Sequence, residues 1–206
     1  MITKPSSGPQ VSIILYYFRL PGLKEVSKGR LFYIPRVKNE AQRRSFRMKK
    51  PGIYLDKYLS LKAILLNLQA STKPALLQEM IDKLVNNKVI VNNKLIFQEL
   101  WRREELGSTA LAEGIALPHA LLPDLSRPII ALGVHSRGID FGHPEGHLTY
   151  VFLLILGNKD DPGLQLRLLA HACRLIKETD FVNQLKQVST PQEALRVVEE
   201  AERKLA

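Results

Sequence analysis

Cysteine occurs once in the 206 residues, at Cys173, which excludes an intrachain disulfide framework and suits a reducing, cytoplasmic setting. Cys173 falls in an apolar helical pattern, so a core position is expected. No stretch reaches the roughly 18 apolar residues that a bilayer crossing requires. The apolar segment Val11 to Phe18 is too short, and the Arg19-Leu20-Pro21 that follows lacks the small residues of a leader-cleavage site. Acidic residues are nearly missing from the first 50 positions, which hold 12 Lys or Arg against 2 Asp or Glu. Residues 51–206 hold 18 of each, so the whole net charge of +10 belongs to the start of the chain. The remainder lacks the basic face of a nucleic-acid-binding domain.

These contrasts divide the chain into a basic N-terminal extension, 1–52, and a body, 53–206, whose apolar content supports one good-sized core. The run Arg43-Arg44-Ser45-Phe46-Arg47-Met48-Lys49-Lys50 is open to three readings. It is a surface for RNA, DNA or anionic lipid, a solvated disordered tail, or a region upstream of a translation start at Met48. Nucleic acid is the weakest of the partners considered, because it rests on the tail alone.

In the body, Ala70-Ser71-Thr72-Lys73-Pro74 opens a helix with Leu76, Leu77, Met80, Ile81, Leu84 and Val85 on one face, ended by Asn86-Asn87. A second helix is expected from Asn92-Asn93 through Phe97, Leu100 and Trp101 to Leu106, with Gly107 as its stop. Ile129 to Val134 and Tyr150 to Leu156 read as strands, the second apolar on both faces and so central. Gly138, Gly142, Pro144 and Gly146 mark turns between them, and His135, His143 and His147 fall in or beside this connection. They show no compact ligand spacing and no carboxylate partner, so no metal site is expected. Asp161-Pro162 caps a further helix, Thr179-Asp180 begins a short one, and Thr190-Pro191-Gln192-Glu193 is a capping box opening the last.

The chemistry concentrates in Arg103-Glu104-Glu105-Leu106-Gly107-Ser108-Thr109 and Gly114-Ile115-Ala116-Leu117-Pro118-His119. A neutral imidazole offers one nitrogen lone pair for in-line attack on phosphorus while the other nitrogen is fixed by a hydrogen bond. A phosphoryl group in flight needs donors for its equatorial oxygens, and Arg103 with the hydroxyls of Ser108 and Thr109 could supply them. Gly107 and Gly114 permit close backbone approach, and Pro118 stiffens the segment before His119. Each residue also has a plainer role available. His119 would serve as an ordinary loop histidine, and Arg103 as a cation favoured at a helix C-terminus.

This string matches, at every fixed position, the pattern R-E-x-x-G-S-T-x-x-x-x-G-I-A-x-P-H. The body therefore resembles the type-2 enzyme IIA domains of the bacterial phosphoenolpyruvate-dependent sugar phosphotransferase system, the fructose, mannitol and nitrogen-regulatory group. The resemblance extends through Ile139-Asp140-Phe141-Gly142 and the run Tyr150 to Leu156, over roughly residues 53–204. It implies an α/β fold, a central mixed sheet of about five strands with helices on both faces, and His119 at an exposed sheet edge. It also implies phosphorylation of His119 by the phosphocarrier HPr, with Arg103 beside it and no bound cofactor. Members of the group usually carry a second histidine where this chain has Gln165, in Gln165-Leu166-Arg167-Leu168-Leu169. An amide can donate to a phosphate oxygen but cannot take up a proton near neutrality. His171, about 240° around the helix from Gln165, is a poor substitute and reads as a packing or surface residue.

Two outlets for the phosphoryl group follow from the resemblance. One is retention as a regulatory signal to target proteins, as in the nitrogen-regulatory branch, which is favoured because no sugar-permease component is attached. The other is transfer to a sugar-permease IIB component. A module that keeps the fold but has lost productive transfer is the third reading, motivated by Gln165.

Overall fold

The structure, a computed structural model, describes residues 52–91 and 93–205. The readings placed on the basic extension and on Met48 lie outside the described residues. From Leu59 the elements run β1 (Leu59–Leu65), α1 (Lys73–Asn86), α2 (Asn93–Glu105), β2 (Ile115–Ala116), β3 (His119–Leu122) and β4 (Ile129–Asp140). They continue with β5 (Leu148–Asn158), α3 (Pro162–Glu178), α4 (Phe181–Leu185) and α5 (Pro191–Leu205). The helices follow the local signals. Pro74 sits in the first turn of α1, Asp161 accepts the Leu164 N–H at the start of α3, and the Thr190 hydroxyl accepts the Glu193 N–H at the start of α5.

The five strands form one mixed sheet. β4 and β5 pair antiparallel at its centre, β1 lies parallel to β4, and both β2 and β3 lie parallel to β5 on its other side. Side chains alternate between the faces of a strand, which fixes where the helices lie. Gly133 pairs with Phe152, and a Cβ at 133 would meet Met80 of α1 at 3.0 Å. Gly157 is five residues beyond Phe152 and so projects to the opposite face, where Gln165 of α3 lies against it. The sheet is thus covered on both sides, and Leu153, Leu154, Ile155 and Leu156 of β5 are all buried. Each such leucine contributes about 1.5–3 kcal/mol by leaving water.

Several sequence expectations are corrected. β4 and β5 run further than expected, so His135 is a buried strand residue and not part of the connection. Gly138 also lies within β4, at φ +67 in a register shift between Val134 and Ile139, under the ring of Tyr150. Between these two positions β4 advances five residues while β5 advances two, and glycine accommodates the left-handed turn of the bulged strand. Cys173 is exposed: the buried stripe of α3 runs through Leu168, Ala172 and Leu175, and the next residue after Ala172 is turned 100° away. His171 packs against Glu202 of α5 and, edge-on, against Tyr54. Its Nε2 lies 2.6 Å from Oε2 of the buried Glu202, whose Oε1 accepts the Leu55 N–H. This one carboxylate ties the segment before β1 to α3 and α5.

Candidate active site

His119 is the first residue of β3, which among the described residues pairs with β5 alone and forms a sheet edge. The edge position agrees with expectation, but the exposure does not. The residue is 4 % exposed, because α2 packs alongside β3 and Arg103 from its last turn lies against the ring. Arg103 Nε donates to His119 Nε2 at 3.0 Å, and Arg103 Nη1 donates to the Gly107 carbonyl at 2.9 Å. The second bond is the helix-end role available to any cation there, and the first is not.

These contacts assign the tautomer. A guanidinium only donates, so Nε2 of His119 accepts and bears the lone pair. The proton is then on Nδ1, 2.8 Å from the Leu117 carbonyl that accepts it. Burial pushes the imidazole down from 6.5 to about 4, the Leu117 hydrogen bond opposes this, and the charge of Arg103 adds to it. The ring is therefore neutral near pH 7, the form that a nucleophile requires.

Ser108 and Thr109 are engaged elsewhere than at a phosphate site. The Ser108 hydroxyl donates to the Phe141 carbonyl and accepts from Lys73 Nζ and the Ala110 N–H. The Thr109 hydroxyl donates a hydrogen bond to Glu104, which also accepts the Thr109 N–H at 3.2 Å and Lys73 Nζ at 3.1 Å. Each hydroxyl has one hydrogen to donate, so both residues shape the turn between α2 and β2. Sequence reasoning passed over Glu104 and Lys73. A signal was present, since a carboxylate in the last turn of a helix opposes the helix dipole and implies a specific partner.

Gln165 is 2 % exposed, and neither atom of its amide meets a protein partner. It shares a sheet face with His119. His119 pairs with Ile155, Gly157 lies two residues along β5 on the same face, about 7 Å further on, and Gln165 rests on Gly157. His143 and His147 lie in the β4–β5 connection, where Glu145 supplies the carboxylate partner the spacing had not disclosed. Their rings stack nearly parallel, 7° apart, and Nδ1 of His143 accepts the Glu145 N–H. One ligand atom from each of the three lies within 4.8 Å of the others, a compactness not expected from the sequence, although lone pairs in parallel ring planes do not converge on a point.

Comparison with known proteins gives this geometry its setting. Residues 57–201 match the family described as phosphoenolpyruvate-dependent sugar phosphotransferase system, EIIA 2. The chain belongs to this family. A nitrogen regulatory protein from Bradyrhizobium diazoefficiens is 31 % identical over 125 residues, covering 61 % of this chain and 81 % of that protein. The fructose-like EIIA component of Escherichia coli K12 is 24 % identical over 134 residues, covering 65 % and 90 % respectively. Among solved structures, nitrogen regulatory protein IIA-Ntr from Neisseria meningitidis superposes with a TM-score of 0.64 at 23 % identity, over 70 % of this chain and 98 % of that one. Escherichia coli IIA mannitol does so with a TM-score of 0.57 at 20 % identity, over 68 % and 97 %. The EIIA fold is therefore common to nitrogen-regulatory and sugar-uptake proteins, and among the described residues no helix is long and apolar enough to cross a membrane.

Proposed function

We propose that this EIIA protein is a cytoplasmic phosphoryl carrier of the nitrogen-regulatory type, phosphorylated on Nε2 of His119 by phospho-HPr. The observation that carries the reading is the arrangement about the ring: Nδ1–H held by the Leu117 carbonyl and the Nε2 lone pair facing a guanidinium. In the transfer, Nε2 attacks phosphorus as the P–N bond of the donor phosphohistidine breaks, and the donor nitrogen keeps the bonding pair. His119 becomes a phosphoimidazolium whose Nδ1–H keeps donating to the Leu117 carbonyl, which supports the positive charge. Arg103 leaves Nε2 and takes phosphoryl oxygens with its planar fork. Gln165 brings its unpartnered amide N–H to the same group. No cofactor enters the step.

The regulatory assignment draws support from the nitrogen regulatory relatives, at 31 % identity in Bradyrhizobium diazoefficiens and 25 % in Pseudomonas aeruginosa. The second reading, transfer to a fructose- or mannitol-type IIB component, is favoured by the fructose-like relative. The fold is also seen in a complex of Escherichia coli IIA mannitol with phosphorylated IIB. Incubation with phosphoenolpyruvate, enzyme I and HPr, followed by mapping of the modified residue, tests the proposal. Label on His119 that stays there when a IIB component is added supports regulation, and label that moves to IIB supports uptake. No label on His119 overturns both and leaves the transfer-deficient module.

A further inference from the structure

We infer that Glu104, neutralised by Lys73, is a positioning residue that sets both sides of the His119 imidazole, fixing its tautomer and its arginine together. The kinetic part of this inference rests on the phosphoryl-carrier reading; the tautomer part does not.

One short path leads from this carboxylate to the ring, and a second leads there from the backbone carbonyl of the same residue. The first runs through Thr109. Glu104 accepts both the N–H and the hydroxyl of Thr109, the Thr109 carbonyl accepts the Leu117 N–H at 3.1 Å, and the Leu117 carbonyl accepts Nδ1–H of His119. The second runs through the helix end. The Glu104 carbonyl accepts the Gly107 N–H at 3.1 Å, and the Gly107 carbonyl accepts Arg103 Nη1, whose Nε lies on the other ring nitrogen. The turn that Glu104 pins therefore supplies the carbonyl that braces Arg103 and the carbonyl that braces the strand before His119.

The chemistry of the pair argues against a purely structural role. The Glu104 side chain is 2 % exposed and Lys73 19 %, and a buried ion pair often contributes less to stability than apolar residues of the same volume. A carboxylate beside a phosphoryl site would also repel the incoming donor. Lys73 cancels that charge at 3.1 Å and reaches Ser108 Oγ at 3.3 Å, and its ammonium lies 4.8 Å above the Phe141 ring. The arrangement keeps three acceptor contacts from one rigid carboxylate while presenting little net charge to the site.

The test reads the ring directly. Nitrogen-15 NMR of the imidazole in the full chain should show a single Nδ1–H tautomer for His119 in the parent. Glu104→Gln, and the charge-matched double variant Lys73→Met with Glu104→Gln, should show both tautomers. Labelling by phospho-HPr should fall roughly ten- to hundredfold, in kcat with KM near the parent value. Should either variant fail to fold by circular dichroism, Thr109→Val, which loses the hydroxyl, should show the same effects and Thr109→Ser should restore the parent behaviour. A folded variant with the parent tautomer and the parent rate overturns the inference. Failure of phospho-HPr to label the parent overturns the carrier reading alone, since the tautomer measurement needs no donor.

Discussion

Gly157 and Gln165 fit one another as a gap and its filler. A Cβ at 157 would stand 2.9 Å from Cδ and 3.0 Å from Cβ of Gln165, and closer still to its amide oxygen. Only glycine lets the side chain settle on the sheet, on the face where His119 lies. Gly157→Ala should therefore cost about 1–3 kcal/mol by overpacking and slow phosphorylation of His119 by displacing the amide. Chemical denaturation and the labelling rate check the two effects separately.

The amide of Gln165 is buried without a partner in the protein, at the place the carrier reading gives to the phosphoryl group. A buried polar group without a partner costs about 1–3 kcal/mol, and Gln165 has two such atoms. Gln165→Met keeps the length of the side chain and removes both. It should raise the unfolding free energy by about that amount while lowering the labelling rate, and a stabilised variant with unchanged rate would remove Gln165 from the site.

His119→Ala should abolish acid-labile labelling, because no other group occupies the position of Nε2. It should also lower stability by about 1–3 kcal/mol, since the Arg103 Nε–H and the Leu117 carbonyl each lose a buried partner. Mass mapping of the phosphorylated protein and urea unfolding give the two readings.

Arg103→Lys preserves the charge but not the planar fork. The labelling rate should drop about a hundredfold or more, the scale on which a preorganised donor is lost, while the melting temperature moves little. A rate close to the parent's would leave Arg103 with only its bond to the Gly107 carbonyl.

The pH dependence of stability has a definite sign. His119 takes up a proton near 6.5 when unfolded and near 4 when folded, so between these values the unfolded chain binds more protons. The folded state is fully favoured above pH 6.5 and loses stability as the pH falls towards 4. At pH 4.5 the loss attributable to this ring is about 2.5 kcal/mol. Urea titrations at pH 7.5 and 4.5 should show the parent losing that much more than His119→Asn.

The parts legible in sequence were those with long periods or dense motifs. α1, α3 and α5 carry caps and apolar stripes, β5 is an unbroken apolar run, and Arg103 to His119 form a fixed pattern. The short edge strands were not legible. β1 alternates Leu59, Leu61, Ala63 and Leu65, yet Leu61 is exposed and Ile64 buried because the register shifts between Leu59 and Ile64. β3 has four residues behind a proline, too few for a period, so its first residue read as part of a loop. Burial of His119 by Arg103 is a tertiary fact, as is the meeting of Lys73 with Glu104 across 31 positions. Neither leaves a local trace in the residues between.

The guanidinium resting on Nε2 of His119 covers the nitrogen that the proposed transfer uses. A small acylating or alkylating reagent must lift Arg103 away without offering it anything in return. On the carrier reading, a donor bearing phosphate oxygens would draw the arginine onto itself and uncover the lone pair as it arrives. The site would then be opened by the negative charge of its reaction partner, and discrimination against stray electrophiles would lie in the same contact that goes on to hold the phosphoryl group.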